Sequence, residues 1–238
     1  MRAPPCRAGS RLPDRGPLRA WAATLRHGLL ILGLIALLTL APLSAAAAPL
    51  QEAVFAGGCF WCLEHDLEVQ SGVVEAISGY SGGRLERPTY AQVSAGGTGH
   101  QEAVLVRFDP AQLSYAALLR HYWRQIDPLD AGGQFCDRGD SYRPVIFPRG
   151  SEQELQARQS LESAASELAV PVSALKVAIQ PLDRFWPAEG YHQNYAERQA
   201  IQYTYYRWAC GRDRRLDAVW GPRARSGVPW TAGPAPGP

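Results

Sequence analysis

The chain has 238 residues and a formal net charge of +2, enough for one core domain with extensions. Residues 1–48 hold six Arg and one Asp; without them the 24 basic and 22 acidic residues become 18 and 21, a net charge of −3. The basicity therefore belongs to the leader, and the remaining charge argues against a nucleic-acid-binding surface.

Arg2, Arg7, Arg11, Arg15, Arg19 and Arg26 precede an apolar run over residues 28–41, followed by Pro42 and small residues over 44–48. This is the order of a secretory signal, so residues 1–48 are expected to direct export to the periplasm or beyond. Cleavage is expected after Ala46 or Ala47, because a cut after Ala48 would leave Pro49 first. The run to Ala48 is also just long enough to cross a bilayer, and an uncleaved membrane anchor is the alternative. No cysteine follows the apolar run, which argues against a lipoprotein anchor. Met1 is the single methionine, so a processed chain would carry none, a composition suited to an oxidising setting.

Beyond the leader, a strand over 53–57 ends in Gly57 and Gly58, and a helix over 59–70 starts near Cys59. A second strand spans 73–77 and ends at the Gly-rich stretch 78–83. Residues 88–93 read as a turn or short helix, and 101–108 as a strand with Glu102, Val104, Val106 and Phe108 on one face. Ser114 is the expected N-cap of a helix through Ile126 whose Tyr115, Leu118, Leu119, Tyr122, Trp123 and Ile126 share a stripe. A Gly/Asp-rich loop over 127–141 carries Cys136. A short strand over 144–147, a helix capped by Ser151 and running to about 169, and a strand over 174–182 follow. Residues 188–207 are aromatic-rich and partly helical. From about 221 Pro and Gly dominate, and a disordered tail is expected. The order β-α-β-β-α-β-α-β predicts an α+β fold, a two-layer plait with a mixed sheet containing a split β-α-β (ferredoxin-like) unit, plus an irregular C-terminal segment. The expected domains are the leader over 1–48, a catalytic domain over 49–211 and an extension over 212–238.

The chemistry gathers at Gly57-Gly58-Cys59-Phe60-Trp61-Cys62-Leu63-Glu64. A cysteine at a helix start faces backbone N–H groups and the positive end of the dipole, which favours its thiolate. Phe60 and Trp61 are placed to wall an apolar pocket beside the sulfur. The plainer alternative is a tight turn before a buried helix, with Cys59 as a small core residue. Outside the leader the cysteines are Cys59, Cys62, Cys136 and Cys210, compatible with two structural disulfides or with redox-active thiols. A Cys-x-x-Cys flanked by glycines and aromatics favours the second.

Gly58-Cys59-Phe60-Trp61 resembles the active-site signature of the A-type peptide methionine sulfoxide reductases. Further matches follow in order: 78–80 (Ser-Gly-Tyr), 88–90 (Pro-Thr-Tyr), 97–102 (Gly-Thr-Gly-His-Gln-Glu), Asp137 with Gly139, Tyr142 and Arg143, and Glu189 with Tyr191, His192 and Gln193. The resemblance covers about residues 51–211 and implies reduction of methionine-S-sulfoxide, free or protein-bound, without metal or organic cofactor, by a monomer recycled through a thioredoxin-type donor.

The residue chemistry agrees with that resemblance. Sulfoxide reduction needs a thiolate, a proton donor for the departing oxygen and a pocket for a methyl thioether. Cys59 supplies the nucleophile, and Phe60 and Trp61 the methyl site, since aromatics contact soft sulfur groups favourably. Glu102, opening a strand on an apolar face, is expected to have a raised pKa suited to proton donation. The resemblance assigns Tyr90 and Tyr142 to the sulfoxide oxygen and places Asp137 beside the catalytic sulfur. Cys59 would become a sulfenic acid that a second thiol resolves as a disulfide. Cys210 is the first choice, because many relatives use C-terminal cysteines, with Cys136 and then Cys62 as alternatives. His192 is expected to serve a structural hydrogen bond.

Two rival readings give the cysteines other work. A thioredoxin-like exchange site at Cys59-x-x-Cys62 leaves Glu102, Tyr90 and Tyr142 without roles. A zinc site using Cys59 and Cys62 with Cys136 and Cys210 or a His lacks a closely spaced second pair.

Overall fold

Strand β1 (Gln51–Ala56) sends Ala53 and Phe55 to one face of a sheet and Val54 and Ala56 to the other, and all four are buried. The structure is a computed structural model that describes residues 48–231. The leader read over 1–48 lies, but for Ala48, outside the described residues. So do residues 232–238 of the expected tail.

Helix α1 (Phe60–Glu68) follows β1, and strand β2 (Val73–Ser81) follows α1. Helix α2 (Tyr90–Ser94) is held by a capping box between Thr89 and Gln92 and leads to strand β3 (Gln101–Phe108). Helix α3 (Tyr115–Trp123) begins at Ser114, whose hydroxyl accepts the Ala117 N–H as the sequence predicts. The Gly/Asp-rich loop contains a two-stranded ribbon, β4 (Gly133–Gln134) and β5 (Asp137–Arg138). Strand β6 (Val145–Phe147) and helix α4 (Gly150–Glu167) come next. Short strands β7 (Ala178–Ile179) and β8 (Phe185–Pro187) precede helices α5 (Tyr195–Arg198), α6 (Ala200–Cys210) and α7 (Arg212–Trp220).

The main sheet has six strands in the order β7-β6-β1-β3-β2-β8. Strand β3 lies between β1 and β2, antiparallel to both. β6 pairs antiparallel with β1, and β7 pairs parallel with β6, so the sheet is mixed. Phe55, Val104, Val106 and Phe108 pack with Leu63, Leu118, Tyr122, Trp123 and Ala157 in one large core. Val54, Ala56, Ala103, Leu105, Val145 and Phe147 form a smaller core on the other face, covered by Leu182 and Phe185. The helices therefore sit on one face, the two-layer α+β arrangement that the element order predicts.

Several boundaries differ from expectation. β2 runs to Ser81, because Ser78, Gly79 and Tyr80 pair with Val104, Ala103 and Glu102 instead of forming a turn. The strand expected over 174–182 shrinks to two residues, preceded by a 3-10 turn at Val172–Ala174. Pro171 and Pro181 flank it, and proline has no N–H for a ladder. Ser151 does not cap α4; Arg149 holds the cap position, with its N–H donating to Gln153 Oε1.

The C-terminal extension differs most. The expected domain end at 211 falls between two packed helices, since α7 buries Leu216 and Trp220 in the main core. Residues 221–231 also pack instead of trailing off. Arg124, fully buried, pairs with Glu167 and donates to the Val228 carbonyl at 2.6 Å, while Thr231 N–H donates to Glu167. A buried ion pair leaves spare donors and lone pairs that must be satisfied, and this backbone satisfies them.

Candidate active site

Two glycines bring the first cysteine to the edge of the sheet. Gly58 has φ +84°, and a Cβ there would meet Gln134 Cβ at 2.7 Å, so only glycine fits without strain. Its N–H donates to the Tyr142 carbonyl at 3.2 Å, which fixes the 140–142 turn against the start of α1. Cys59 occupies the N-cap position of α1. The Phe60 N–H, which has no partner within the helix, donates to Glu102 Oε2 at 3.0 Å. The Cys59 backbone N–H lies near enough to Asp137 to lower the pKa of its carboxyl. The helix start thus holds two carboxyl groups beside one sulfur.

A small open cleft of about 90 Å³ is lined by Cys59, Phe60, Trp61, Tyr90, Glu102, Asp137, Tyr142 and Tyr206. Every residue named from the sequence for catalysis or substrate contact borders it. Glu102 is buried, with its carboxyl pushed up to about 8 by burial, aided by Asp137 and opposed by the Phe60 N–H. It is mainly protonated at neutral pH, as its place on an apolar strand face predicts. Burial raises the pKa of both Tyr90 and Tyr142, so both remain hydroxyl donors. Phe60 is buried beneath the cleft, its ring 6.3 Å from that of Tyr90 and 4.9 Å from that of His192. Trp61 is half-buried and stacks on Tyr195 at 3.7 Å, leaving it the more accessible of the two aromatics.

One electrostatic expectation is corrected. Cys59 does sit at a helix start, yet its pKa is raised. Burial is the largest cause, followed by a hydrogen bond to Cys62 and the nearby Glu102 and Asp137. Removal from water opposes the anion more strongly than the helix end favours it. Cys62, in the first turn of α1, is pulled down by the Cys59 hydrogen bond, against its burial and with help from Arg212. Both sulfurs are buried, and both carry free thiols.

The other two cysteines are bonded to each other. Cys136 and Cys210 form a disulfide, with Cα atoms 5.0 Å apart across a sequence separation of 74. The first two candidates for the resolving thiol are therefore partners, and Cys62 is a free thiol one helical turn from Cys59. The bridge flanks the site: Asp137 Oδ2 lies 4.0 Å from Cys210 Sγ. With both sulfurs in the bridge, the zinc reading loses two of its four ligands, and the reading with two structural disulfides loses one pair.

Residues to which the sequence assigned no part in the chemistry complete the site. Tyr206 lines the cleft and donates to Asp137 Oδ2 at 2.6 Å; it lies in the aromatic-rich segment, but nothing local marks it out from its neighbouring tyrosines. Arg212, just past the expected domain end, is buried, pairs with Asp66 and crosses the Phe135 ring at 4.5 Å. Glu64 accepts hydrogen bonds from the Ser78 hydroxyl and the Asn194 N–H, tying α1 to β2 and α5. Glu189 receives the Tyr80 hydroxyl and the Tyr90 N–H, each at 2.9 Å. His192 accepts the Trp61 indole N–H on Nδ1 at 3.0 Å, which orients the tryptophan, a structural hydrogen bond as expected.

The fold and site are those of a cysteine-dependent oxidoreductase, with a candidate nucleophile, Cys59, bordering a cleft among hydroxyl groups and a carboxyl of raised pKa. The chain belongs to the peptide methionine sulfoxide reductase family, whose model, described as "Peptide methionine sulfoxide reductase", matches residues 51–224. It is 51% identical over 178 residues to peptide methionine sulfoxide reductase MsrA 2 of Caulobacter vibrioides, covering 74% of this chain and 89% of that one. It is 45% identical over 186 residues to MsrA 2 of Rhizobium meliloti, covering 78% and 91%. Methionine sulfoxide reductase A of Corynebacterium diphtheriae superposes with a TM-score of 0.61 at 28% identity, covering 68% and 81% of the two chains. The reduced form of Mxr1 from Saccharomyces cerevisiae shares the fold, with a TM-score of 0.60 at 24% identity over 65% and 88%.

Proposed function

We propose that this chain reduces methionine-S-sulfoxide, free or within oxidised proteins, with Cys59 as nucleophile, and that it is recycled by a thioredoxin-type dithiol donor. The observation that carries this reading is Cys59 beneath Glu102, Tyr90 and Tyr142 in one cleft. The S-epimer preference follows from the family resemblance.

Each group has a step. The sulfoxide oxygen accepts hydrogen bonds from the tyrosine hydroxyls, and its methyl group rests against Trp61 over Phe60. The Cys59 sulfur attacks the sulfoxide sulfur, and the thiol proton it gives up restores the Glu102 carboxyl once that group has donated its own. Glu102 delivers a proton to the developing oxyanion, the role of a carboxyl poised near the working pH. In net terms the oxygen passes to Cys59, leaving a sulfenic acid, and the thioether of methionine departs. The Cys62 sulfur then attacks the Cys59 sulfur, forming a disulfide and expelling the oxygen as water. Cys62, a free thiol one helical turn from Cys59, is favoured over Cys210 for this step, since Cys210 is bonded to Cys136. The outer pair, once reduced, returns two electrons and two protons to the inner disulfide by thiol–disulfide exchange.

A simple exchange protein using Cys59-x-x-Cys62 fits less well. Cys59 is 6% and Cys62 2% exposed, which withholds both from a protein partner. The Arg-rich start and apolar run of the leader support export, with action on proteins oxidised outside the cytoplasm.

The test is a single turnover without added reductant. Pre-reduced protein is mixed with a racemic methionine sulfoxide peptide, with Cys59→Ser alongside. Methionine formed with loss of the S-epimer alone, and an inactive Cys59→Ser, is the expected result. Disulfide exchange without any methionine would replace this reading with the exchange-site rival.

A further inference from the structure

The resolving step asks a buried thiol to act as a nucleophile, and burial alone would hold Cys62 in its neutral form. Its surroundings show what offsets that. Cys62 lies one turn before Asp66 on α1, and the two share a face of that helix. Tyr203, Tyr206 and Arg207 meet this face from α6, and Arg212 meets it from the start of α7. Cys59 and Glu102 lie within electrostatic reach of the sulfur on the cleft side.

The two arginines differ in what they already hold. Arg207 Nη1 donates to Asp66 Oδ1 at 2.8 Å and to the Tyr203 hydroxyl at 3.0 Å, while its Nε and Nη2 donate to Asp213. Arg212 is buried and donates from Nη2 to the Gln125 carbonyl at 2.7 Å. Its Nε makes no hydrogen bond among the described residues; it stands 3.4 Å from Asp66 Oδ2, which also makes none. Its Nη1 lies 3.6 Å from the point where a Gly58 side chain would begin. The guanidinium thus reaches from Gly58 to Asp66, positions that bracket Cys62 evenly along the chain. It lies along the face that carries this sulfur. A buried cation with a spare donor is costly unless an anion comes to it.

We infer that Arg212 is a positioning residue for the resolving step, its guanidinium laid beside Cys62 to counter the negative charge that gathers on this sulfur as it attacks Cys59. The inference rests on the reductase reading, with Cys62 as the resolving thiol, and names the group that readies that thiol. In the step itself Cys62 yields its proton, its electron pair forms the S–S bond to Cys59, and the S–O bond of the sulfenic acid breaks. The oxygen takes up one proton and leaves as water, so no outside oxidant or reductant enters. The Cys62 thiol is held below its ordinary value first by the Cys59 hydrogen bond, against burial, and next by Arg212 ahead of Arg207, with Asp66 opposing. Guanidinium groups stay charged throughout the range of enzyme assays, so this support does not switch off with pH.

The test uses the full processed chain carrying Cys136→Ser and Cys210→Ser, so that the inner disulfide is the one that can form. Pre-reduced protein meets a stoichiometric sulfoxide peptide from about pH 6 to 9. Methionine, the dimedone adduct of Cys59 and the Cys59–Cys62 disulfide are counted by mass over time. With Arg212 intact, the disulfide is expected to form without a build-up of adduct. Arg212→Gln is expected to form methionine yet accumulate the adduct. Its disulfide should form about tenfold more slowly at neutral pH, with the pH midpoint of that step raised by about 1. Arg212→Lys keeps the charge on a shorter reach, and its midpoint is expected to fall between the two. A loss of packing alone would slow the step by the same factor at every pH, and that result overturns the inference. So does an unchanged midpoint in Arg212→Gln or, should that variant fail to fold, an unchanged midpoint in Arg212→Lys. Methionine without the Cys59–Cys62 disulfide while Arg212 is intact also overturns it, since Cys62 then does not resolve. No methionine from that protein removes the reductase reading itself.

Discussion

Tyr206 donates a 2.6 Å hydrogen bond to Asp137 Oδ2, and the Cys59 backbone N–H lies near enough to lower the pKa of the same carboxyl. One carboxylate thus ties α6 and its outer disulfide to the backbone of the nucleophile. Burial raises the pKa of Asp137, while Tyr206, Arg212 and the Cys59 N–H lower it. Replacing Tyr206 with Phe keeps the ring and removes the bond. The expected result is a roughly tenfold lower kcat and a loss of about 1–3 kcal/mol in unfolding free energy, read by steady-state assay and urea titration.

Glu102 carries a pH signature. In the proposed reaction it is the acid, with a pKa of about 8, so kcat is expected to fall as pH rises through about 8. Glu102→Gln keeps an acceptor for the Phe60 N–H but holds no transferable proton. It should lower kcat by about 10²–10⁴ and remove this limb from the pH profile. The sign for stability follows from linkage. The folded state binds this proton more tightly than the unfolded chain, whose group has a pKa near 4.5. Stability from this group is therefore present below about pH 4.5 and lost as pH rises to about 8, and Glu102→Gln should flatten that slope.

The order of the thiols is open to counting. Fully reduced protein is expected to yield about two methionines per chain without reductant, one for each disulfide formed. Cys210→Ser should yield about one, because Cys62 still resolves the sulfenic acid. Cys62→Ser should leave a Cys59 sulfenic acid that a dimedone adduct reports by mass. A Cys62→Ser protein that gives about two equivalents, the first ending as the Cys136–Cys210 disulfide and the second as the Cys59 sulfenic acid, would return Cys210 to the resolving role.

Gly58 is a test of backbone geometry. Gly58→Ala must adopt φ +84° with its Cβ 2.7 Å from Gln134 Cβ. A destabilisation of about 1–3 kcal/mol from the dihedral alone is expected, visible as a lower Tm. The shifted N–H would also release the Tyr142 carbonyl, so kcat for the sulfoxide peptide should fall with it.

The leader makes a prediction independent of the site. Expressed with its full leader in a Gram-negative host, the protein recovered from the periplasm should begin at Ala47 or Ala48 by mass spectrometry. A membrane-bound product that retains residue 1 would instead support the uncleaved anchor.

The sequence by itself determined the class of fold and pointed to the candidate nucleophile and the residues that line its cleft. Those signals are local or motif-borne: a Gly-Gly turn into a cysteine-started helix, a carboxyl on an apolar strand face, and alternation that assigns strand faces. Tertiary structure alone decided which cysteines pair, because Cys136 and Cys210 are 74 residues apart and meet only when α6 packs on the β4–β5 ribbon. It also decided the charge state of Cys59, since the helix end is a sequence feature while burial and the approach of Glu102 and Asp137 are not. Arg212, Leu216 and Trp220 belong to the core although they lie in a stretch with little apolar content. The polar majority of α7 conceals its three anchors, which only the packed domain can identify.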